Sequence, residues 1–216
     1  MTRVHILRHG QALHNVERGY PHRDPPLTDL GTRQAKNVQQ TLKVKPDLII
    51  VSPMTRTIQT MYIVFRYLLI TEDTEIQVWP DLREAHDAPC NKGVPRADLA
   101  AKFPHLDLSG CPDRWDFPAH TPGDATVRAE RVRQKVSEIA KAGKYKDIVL
   151  VTHRGFAAFM VQGERFSVCE YRSYRFADTD EIDEDKRFGL NVDTCVKQDF
   201  GPTLLIPLAE RRRRSR

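Results

Sequence analysis

Three short stretches of the chain combine residue types that suit chemistry on a tetrahedral anion. Arg8 and His9 stand together ahead of Gly10. Ser52-Pro53-Met54-Thr55-Arg56 brings another arginine, and His153-Arg154-Gly155 a second histidine beside a further cation. An arginine fork offers two parallel, permanently charged hydrogen bonds to phosphate oxygens. A neutral imidazole nitrogen can attack phosphorus, and a neighbouring carboxylic acid can protonate the departing alcohol. Backbone N–H groups at a helix start add positive potential. Such an inventory describes a phosphoryl-transfer pocket that needs no metal or other cofactor.

These residues need strands to present them. Arg3 to Leu7 reads as a strand, apolar at Val4, Ile6 and Leu7, and it stops at Arg8-His9-Gly10, where glycine lets the backbone turn close to a ligand. Asp47 to Ser52 and Asp147 to Thr152 are β-branched apolar runs of the kind covered on both faces. Glu75 to Trp79 alternates weakly as a further strand, and Phe200 to Leu208 reads as a closing one. A helix is expected from Thr28, whose hydroxyl can cap it, through Arg33, Ala35, Val38 and Leu42. A second carries Ile58, Met61, Tyr62 and Phe65 on one face. A third runs from about Val127 to Ala142, and a fourth begins near Gly155.

Strands alternating with helices predict an α/β fold, a three-layer α/β/α sandwich with a mostly parallel central sheet. In such sheets ligands bind beyond the carboxyl ends of the strands, which is where Arg8, His9, Arg56 and His153 fall. Residues 1–210 are expected to form a single domain. The segment from about Arg83 to Gly123, rich in Pro, Asp and His and poor in periodicity, reads as an irregular insertion over the site. Asp178 to Asp185 reads as a solvated acidic loop.

Composition narrows the function classes. With 216 residues, 40% of them hydrophobic and 29% charged, the chain is long enough to bury one substantial core. Its apolar runs are too short to span a bilayer, and the N-terminus has no apolar signal region, so a cytoplasmic protein is expected. Cys90, Cys111, Cys169 and Cys195 are scattered without the spacing of a zinc or disulfide framework. The net charge of +5 suggests a nucleic-acid partner, but five arginines sit in residues 211–216, and without them bases and acids balance at 29 each. That basic tail reads as solvated, with nuclear entry or an anionic surface as the alternative. No interleaving of basic and aromatic residues of the nucleic-acid type accompanies it. The expected partner is a small phosphorylated substrate, with no nucleic acid and no membrane; no sequence pattern indicates an oligomeric state.

Each chemical residue alone is a weak signal. A buried histidine is as well explained as a satisfied core residue, and Arg56 as half of a helix-surface ion pair. Their agreement at three strand ends favours a site. Within that frame the sequence resembles the histidine phosphatase superfamily, also called phosphoglycerate-mutase-like. The residues that carry the resemblance are Leu7-Arg8-His9-Gly10-Gln11, Leu27-Thr28-x-x-Gly31-x-x-Gln34-Ala35, Val51-Ser52-Pro53-x-x-Arg56-x-x-Gln59-Thr60, Leu82-Arg83-Glu84 and Val151-Thr152-His153, in matching order up to about Ala158.

The resemblance implies that His9 is the nucleophile that becomes phosphohistidine, that Arg8, Arg56 and His153 complete the phosphate pocket, and that Glu84 is the proton donor. Asp81, His86 and Asp87 are the alternatives to Glu84. The resemblance also places Asn15 at a further phosphate contact, and the family works without a metal. Arg154 stands where many members have glycine, either as an extra cation facing substrate or turned away into a salt bridge. The chain looks like the small phosphatase-type branch, so a metal-independent phosphomonoesterase is expected. A phosphoglycerate-type mutase and a repurposed or non-catalytic anion binder are the alternatives. Of the remaining histidines, His5 reads as structural, and His22 and His120 as candidates for the site mouth. Trp79, Trp115 and Phe117 read as core or lid packing.

Overall fold

The computed structural model describes residues 1–17, 19–70, 74–115 and 121–208. In chain order these form β1 (Arg3–Arg8), α1 (Leu13–Val16), α2 (Asp29–Thr41), β2 (Leu48–Val51), α3 (Thr55–Val64), α4 (Arg66–Ile70), β3 (Glu75–Val78), α5 (Arg96–Lys102) and α6 (Pro122–Lys141). There follow β4 (Asp147–Thr152), α7 (Arg154–Met160), β5 (Tyr171–Phe176), α8 (Glu184–Arg187), β6 (Phe188–Leu190), β7 (Lys197–Asp199) and β8 (Leu205–Pro207).

The main sheet has the order β3-β2-β4-β1-β5-β8. Its first four strands are parallel, β5 runs antiparallel to β1, and β8 antiparallel to β5. β2 and β4 are buried along their whole length because both faces are covered. Leu48, Ile50, Ile148 and Leu150 pack with Ala129, Val132 and Val136 of α6 and Phe156 of α7. Ile49, Val51, Val149 and Val151 point the other way, onto Ala35 of α2 and Ile58 and Met61 of α3. Alternate residues of each strand thus feed two separate cores, giving the expected three layers around a mostly parallel sheet.

Register sets the site. Arg8 pairs with Thr152, Leu7 with Val151, and Val51 with both Val151 and Val78. The residues that follow, His9, Ser52 and His153, therefore leave neighbouring strands at one level of one sheet edge.

Several expectations need correction. The closing strand over Phe200 to Leu208 is broken: β7 ends at Asp199, and only Leu205–Pro207 joins the main sheet. Pro202, between them, has no N–H to give a ladder. The helix expected from Val127 begins at Pro122, because the Thr121 hydroxyl accepts from the Asp124 N–H and proline suits a first helical turn. β5 was not legible, having polar residues at half its positions and only Tyr174 fully buried. The acidic stretch Asp178 to Asp185 holds a helical turn at Thr179–Glu181 and the start of α8. The segment from Arg83 to Gly123 is not wholly irregular, since it carries α5 and sends Leu99, Leu106, Leu108 and Trp115 into the second core. Phe117, His120 and the tail 211–216 lie outside the described residues.

Candidate active site

At the end of β1 the chain turns sharply. A Cβ on Gly10 would lie 2.7 Å from the Gly31 carbonyl oxygen, and one on Gly31 would lie 1.9 Å from that of Gln11, so both positions exclude any side chain. The turn is held from outside. Gly10 N–H donates to Thr60 Oγ1 at 3.1 Å, Gln11 N–H to Gln34 Oε1 at 2.9 Å, and Thr28 Oγ1 to Gln11 Oε1 at 2.8 Å. The polar residues of the Thr28 and Gln59-Thr60 motifs thus act as scaffold for the turn that carries His9.

His9 is 1% exposed. Its Nδ1 lies 2.7 Å from its neighbour's carbonyl, Gly10 O, which fixes the proton on Nδ1. Nε2 then carries the lone pair, and it faces Arg56 Nε at 3.3 Å. Burial first, then Arg56 and Arg8, hold the imidazole pKa well below its ordinary value. The ring is neutral and basic at one defined nitrogen.

Around it the structure gathers Arg8, Arg56 and His153. Arg56, 0% exposed, is held by Cys90 O at 3.1 Å and Asn91 Oδ1 at 3.0 Å. It leaves α3, whose start is fastened by Asp24: that carboxylate accepts from Thr55 N–H at 2.8 Å and Thr55 O–H at 2.5 Å. Arg8 donates to Phe166 O at 2.7 Å, and burial, with Arg154 nearby, lowers its pKa to about 10, so it stays charged at neutral pH. The His153 ring centroid is 5.2 Å from that of His9, edge on, and its Nε2 is 2.9 Å from Ser52 Oγ. Burial and Arg56 keep His153 neutral too.

Glu84 belongs to the same cluster, since its charge acts on both Arg8 and Arg56. Its carboxylate accepts N–H bonds from Ala85 at 2.7 Å and from Phe156 and Gly155 in the first turn of α7 at 2.8 and 3.3 Å. This close seat requires Gly155, where a Cβ would lie 2.5 Å from Glu84 Oε1. Asp81 instead pairs with Arg131 at 2.9 Å. His86 is bonded to Asp193, which raises its pKa, and Asp87 is exposed.

One pattern ties the cluster together. Among the described residues, Arg8 Nε, His14 Nδ1 and His153 Nδ1 are buried with no hydrogen-bond partner. Buried polar atoms are ordinarily satisfied. Of those that are not, these three belong to residues gathered about His9, whereas Arg128 Nε lies under the Glu84 loop, and the three mark a place for an acceptor-rich anion. No group of three or more His, Cys, Asp or Glu side chains among the described residues is arranged to hold a metal.

The sequence of this fold and site matches the family model of the histidine phosphatase superfamily, branch 1, over residues 4–176. The chain belongs to that superfamily. A Schizosaccharomyces pombe protein named as a probable phosphatase is 34% identical over 158 residues, covering 69% of this chain and 73% of that one. The adenosylcobalamin/α-ribazole phosphatase of Escherichia coli is 26% identical over 162 residues, covering 74% and 77%. The crystal structure of the α-ribazole phosphatase from Shigella flexneri superposes with a TM-score of 0.57 at 21% identity, covering 82% of this chain and 91% of that one, and supports the fold. Membership of this phosphatase superfamily agrees with the resemblance read from the motifs.

Two further expected residues sit differently within this histidine phosphatase. Asn15 is exposed, and its amide is engaged locally: Oδ1 accepts from Ala12 N–H at 3.0 Å and Nδ2 donates to His14 Nε2 at 3.1 Å. Arg154 is turned to Asp193 at 3.5 Å, a carboxylate only 2% exposed that also holds Arg165 at 3.5 Å. His5 is structural, between Ser173 Oγ at 2.8 Å and Asp147 Oδ1 at 2.9 Å. His22 is exposed beside Tyr20, and Trp115 is buried against Gly93.

Sequence reasoning missed Arg128. From α6 it reaches the carbonyls of Arg83 at 2.5 Å and Glu84 at 3.0 Å, with its guanidinium 4.3 Å over the Phe156 ring. It braces the loop that seats Glu84. A signal was there: Arg128 lies on the apolar face defined by Ala125, Val132 and Val136, where a surface arginine does not belong.

Proposed function

We propose that this chain is a phosphomonoesterase that hydrolyses a small phosphorylated metabolite through a phosphohistidine on His9, with no metal taking part. The observation that carries the reading is the orientation of His9: Nδ1 is tied to Gly10 O, so the Nε2 lone pair faces Arg56 amid buried donors that lack acceptors.

In the first half-reaction the Nε2 lone pair forms the N–P bond as the P–O bond to the alcohol breaks. Glu84 delivers its proton to the leaving oxygen. Arg8 and Arg56 neutralise charge on the equatorial phosphoryl oxygens, and donors already in place need no reorganisation as that charge redistributes. A Ser52 O–H donating to His153 Nε2 leaves the His153 Nδ1–H free to add a further hydrogen bond. In the second half-reaction water attacks phosphorus, gives its proton to Glu84, and the N–P bond breaks to return neutral His9.

The test is phosphate release from a panel of phosphomonoesters in the presence of chelator, beside trapping of acid-labile covalent phosphate after rapid quenching. The wild type is expected to turn over and to trap label, and His9→Ala to do neither. Turnover by His9→Ala at near wild-type rate refutes the nucleophile. Stimulation by a bisphosphorylated primer, with phosphate moved between hydroxyls and not released, would support the mutase instead.

A further inference from the structure

We propose that His14 is a substrate-contacting residue of this site, donating its Nδ1–H to an oxygen of the phosphoryl group held at His9. The inference rests on the proposed reaction and extends it to a side chain that the motifs do not mark.

His14 lies in α1, in the loop that leaves β1. Its ring centroid is 5.8 Å from that of His9 at an interplanar angle of 50°, nearly as near as that of His153 at 5.2 Å. Its proton position follows from its neighbour. Asn15 Oδ1 accepts the Ala12 N–H at 3.0 Å, which turns the Asn15 NH2 toward His14 Nε2 at 3.1 Å. An amide NH2 can only donate, so Nε2 is the acceptor and, in a neutral ring, Nδ1 carries the hydrogen. Burial and the nearby charges of Arg56, Arg8 and Arg154 lower the His14 pKa to about 3, so the ring is neutral at working pH. That Nδ1–H is buried and has no acceptor among the described residues.

A buried donor without an acceptor is costly, and it sits among cations that offer it none. An acceptor-rich, negatively charged group bound at His9 is the chemistry that satisfies it. Asn15, in this arrangement, is a positioning residue: it fixes which His14 nitrogen donates. His14 and His153 then flank His9 as two neutral donors, leaving the fixed positive charge to Arg8 and Arg56.

The experiment compares His14→Phe, which keeps a ring without a donor, with His14→Asn, whose amide nitrogen falls near the position of Nδ1. Affinity for inorganic phosphate is measured by titration calorimetry, and kcat/KM on the best panel substrate. A hydrogen bond to a charged group predicts that His14→Phe weakens phosphate binding and kcat/KM by about 10- to 100-fold, with His14→Asn recovering most of the loss. Equal behaviour of the Phe and Asn variants, or phosphate affinity unchanged in His14→Phe, overturns the inference. If His14→Phe does not fold, His14→Leu takes its place in the same comparison. His9→Ala run in parallel separates the two readings: its loss of turnover with an unaffected His14→Phe sinks only the role of His14, whereas retained turnover sinks the phosphohistidine itself.

Discussion

Acidification from about pH 7.5 to about 5.5 perturbs His9, His14 and His153 together, because the fold holds all three unprotonated. Burial is the first cause for each, and the guanidinium of Arg56 the second. In the unfolded chain each histidine takes up its proton near pH 6.5. Below that value the unfolded state binds more protons than the folded one, so stability falls as the pH falls. A histidine that stays neutral in the fold costs on the order of 1 kcal/mol across this interval, and the three together a few kcal/mol. That is a large part of the roughly 5–15 kcal/mol that holds a domain together. His5, whose pKa burial also lowers, adds to the trend; His86, raised by Asp193, and Asp24, raised by burial, oppose it, the half-exposed His86 ring being screened by solvent and offsetting only a fraction. Carboxylates whose pKa the fold lowers, such as Asp147 and Asp193, lose their contribution only at lower pH, outside this interval. Urea unfolding followed by circular dichroism at both pH values, in phosphate-free buffer, measures the loss. His153→Asn removes one titrating group and should shrink the pH dependence by on the order of 1 kcal/mol. Stability that is flat or rises toward pH 5.5, or a variant with the wild-type slope, would refute the account.

The same neutral His9 predicts that kcat/KM keeps no acid limb near pH 6.5; its protonation limb lies lower, as a pH–rate profile would show. Gly155→Ala drives a Cβ to within 2.5 Å of Glu84 Oε1, so kcat should fall while phosphate affinity, read by calorimetry, holds. Arg128→Met removes the brace under Glu84 and should lower kcat by about 10- to 100-fold through misplacement of the proposed proton donor; an unchanged kcat would show that Glu84 is held without it. Arg56→Lys cannot span Cys90 O, Asn91 Oδ1 and His9 Nε2 together, and should cost about 1–3 kcal/mol in urea unfolding as well as most of the turnover.

Much of this site was legible because its residues follow directly on strands whose apolar runs are unmistakable. Leu48 to Val51 and Asp147 to Thr152 announce buried parallel strands, and Ser52 and His153 come next. Arg56 was placed by its motif, and its burial could not be read from a helix face it shares with the polar Gln59 and Thr60. What the sequence hid depends on long-range contact. Arg128 meets Glu84 across 44 residues and Asp24 meets Thr55 across 31, and no local periodicity encodes such meetings. β5 escaped for a related reason: its Tyr-Arg-Ser-Tyr-Arg-Phe run is half polar, and its place beside β1 is set by tertiary pairing, not by an apolar pattern. No motif marks His14, and only the fold lays its ring beside His9.

Asp193 reaches the rim of the site from the turn between β6 and β7, beyond residue 176, where the match to the family model stops. The floor, with Arg8, His9, Arg56, Glu84 and His153, comes from the shared portion of the chain. The carboxylate that gathers His86, Arg154 and Arg165 comes from the turn between β6 and β7 and is only 2% exposed. Because one carboxylate holds all three, replacing Asp193 alone would strip His86, Arg154 and Arg165 of that shared partner at once, so a single position in this hairpin sets the charge balance of three basic side chains.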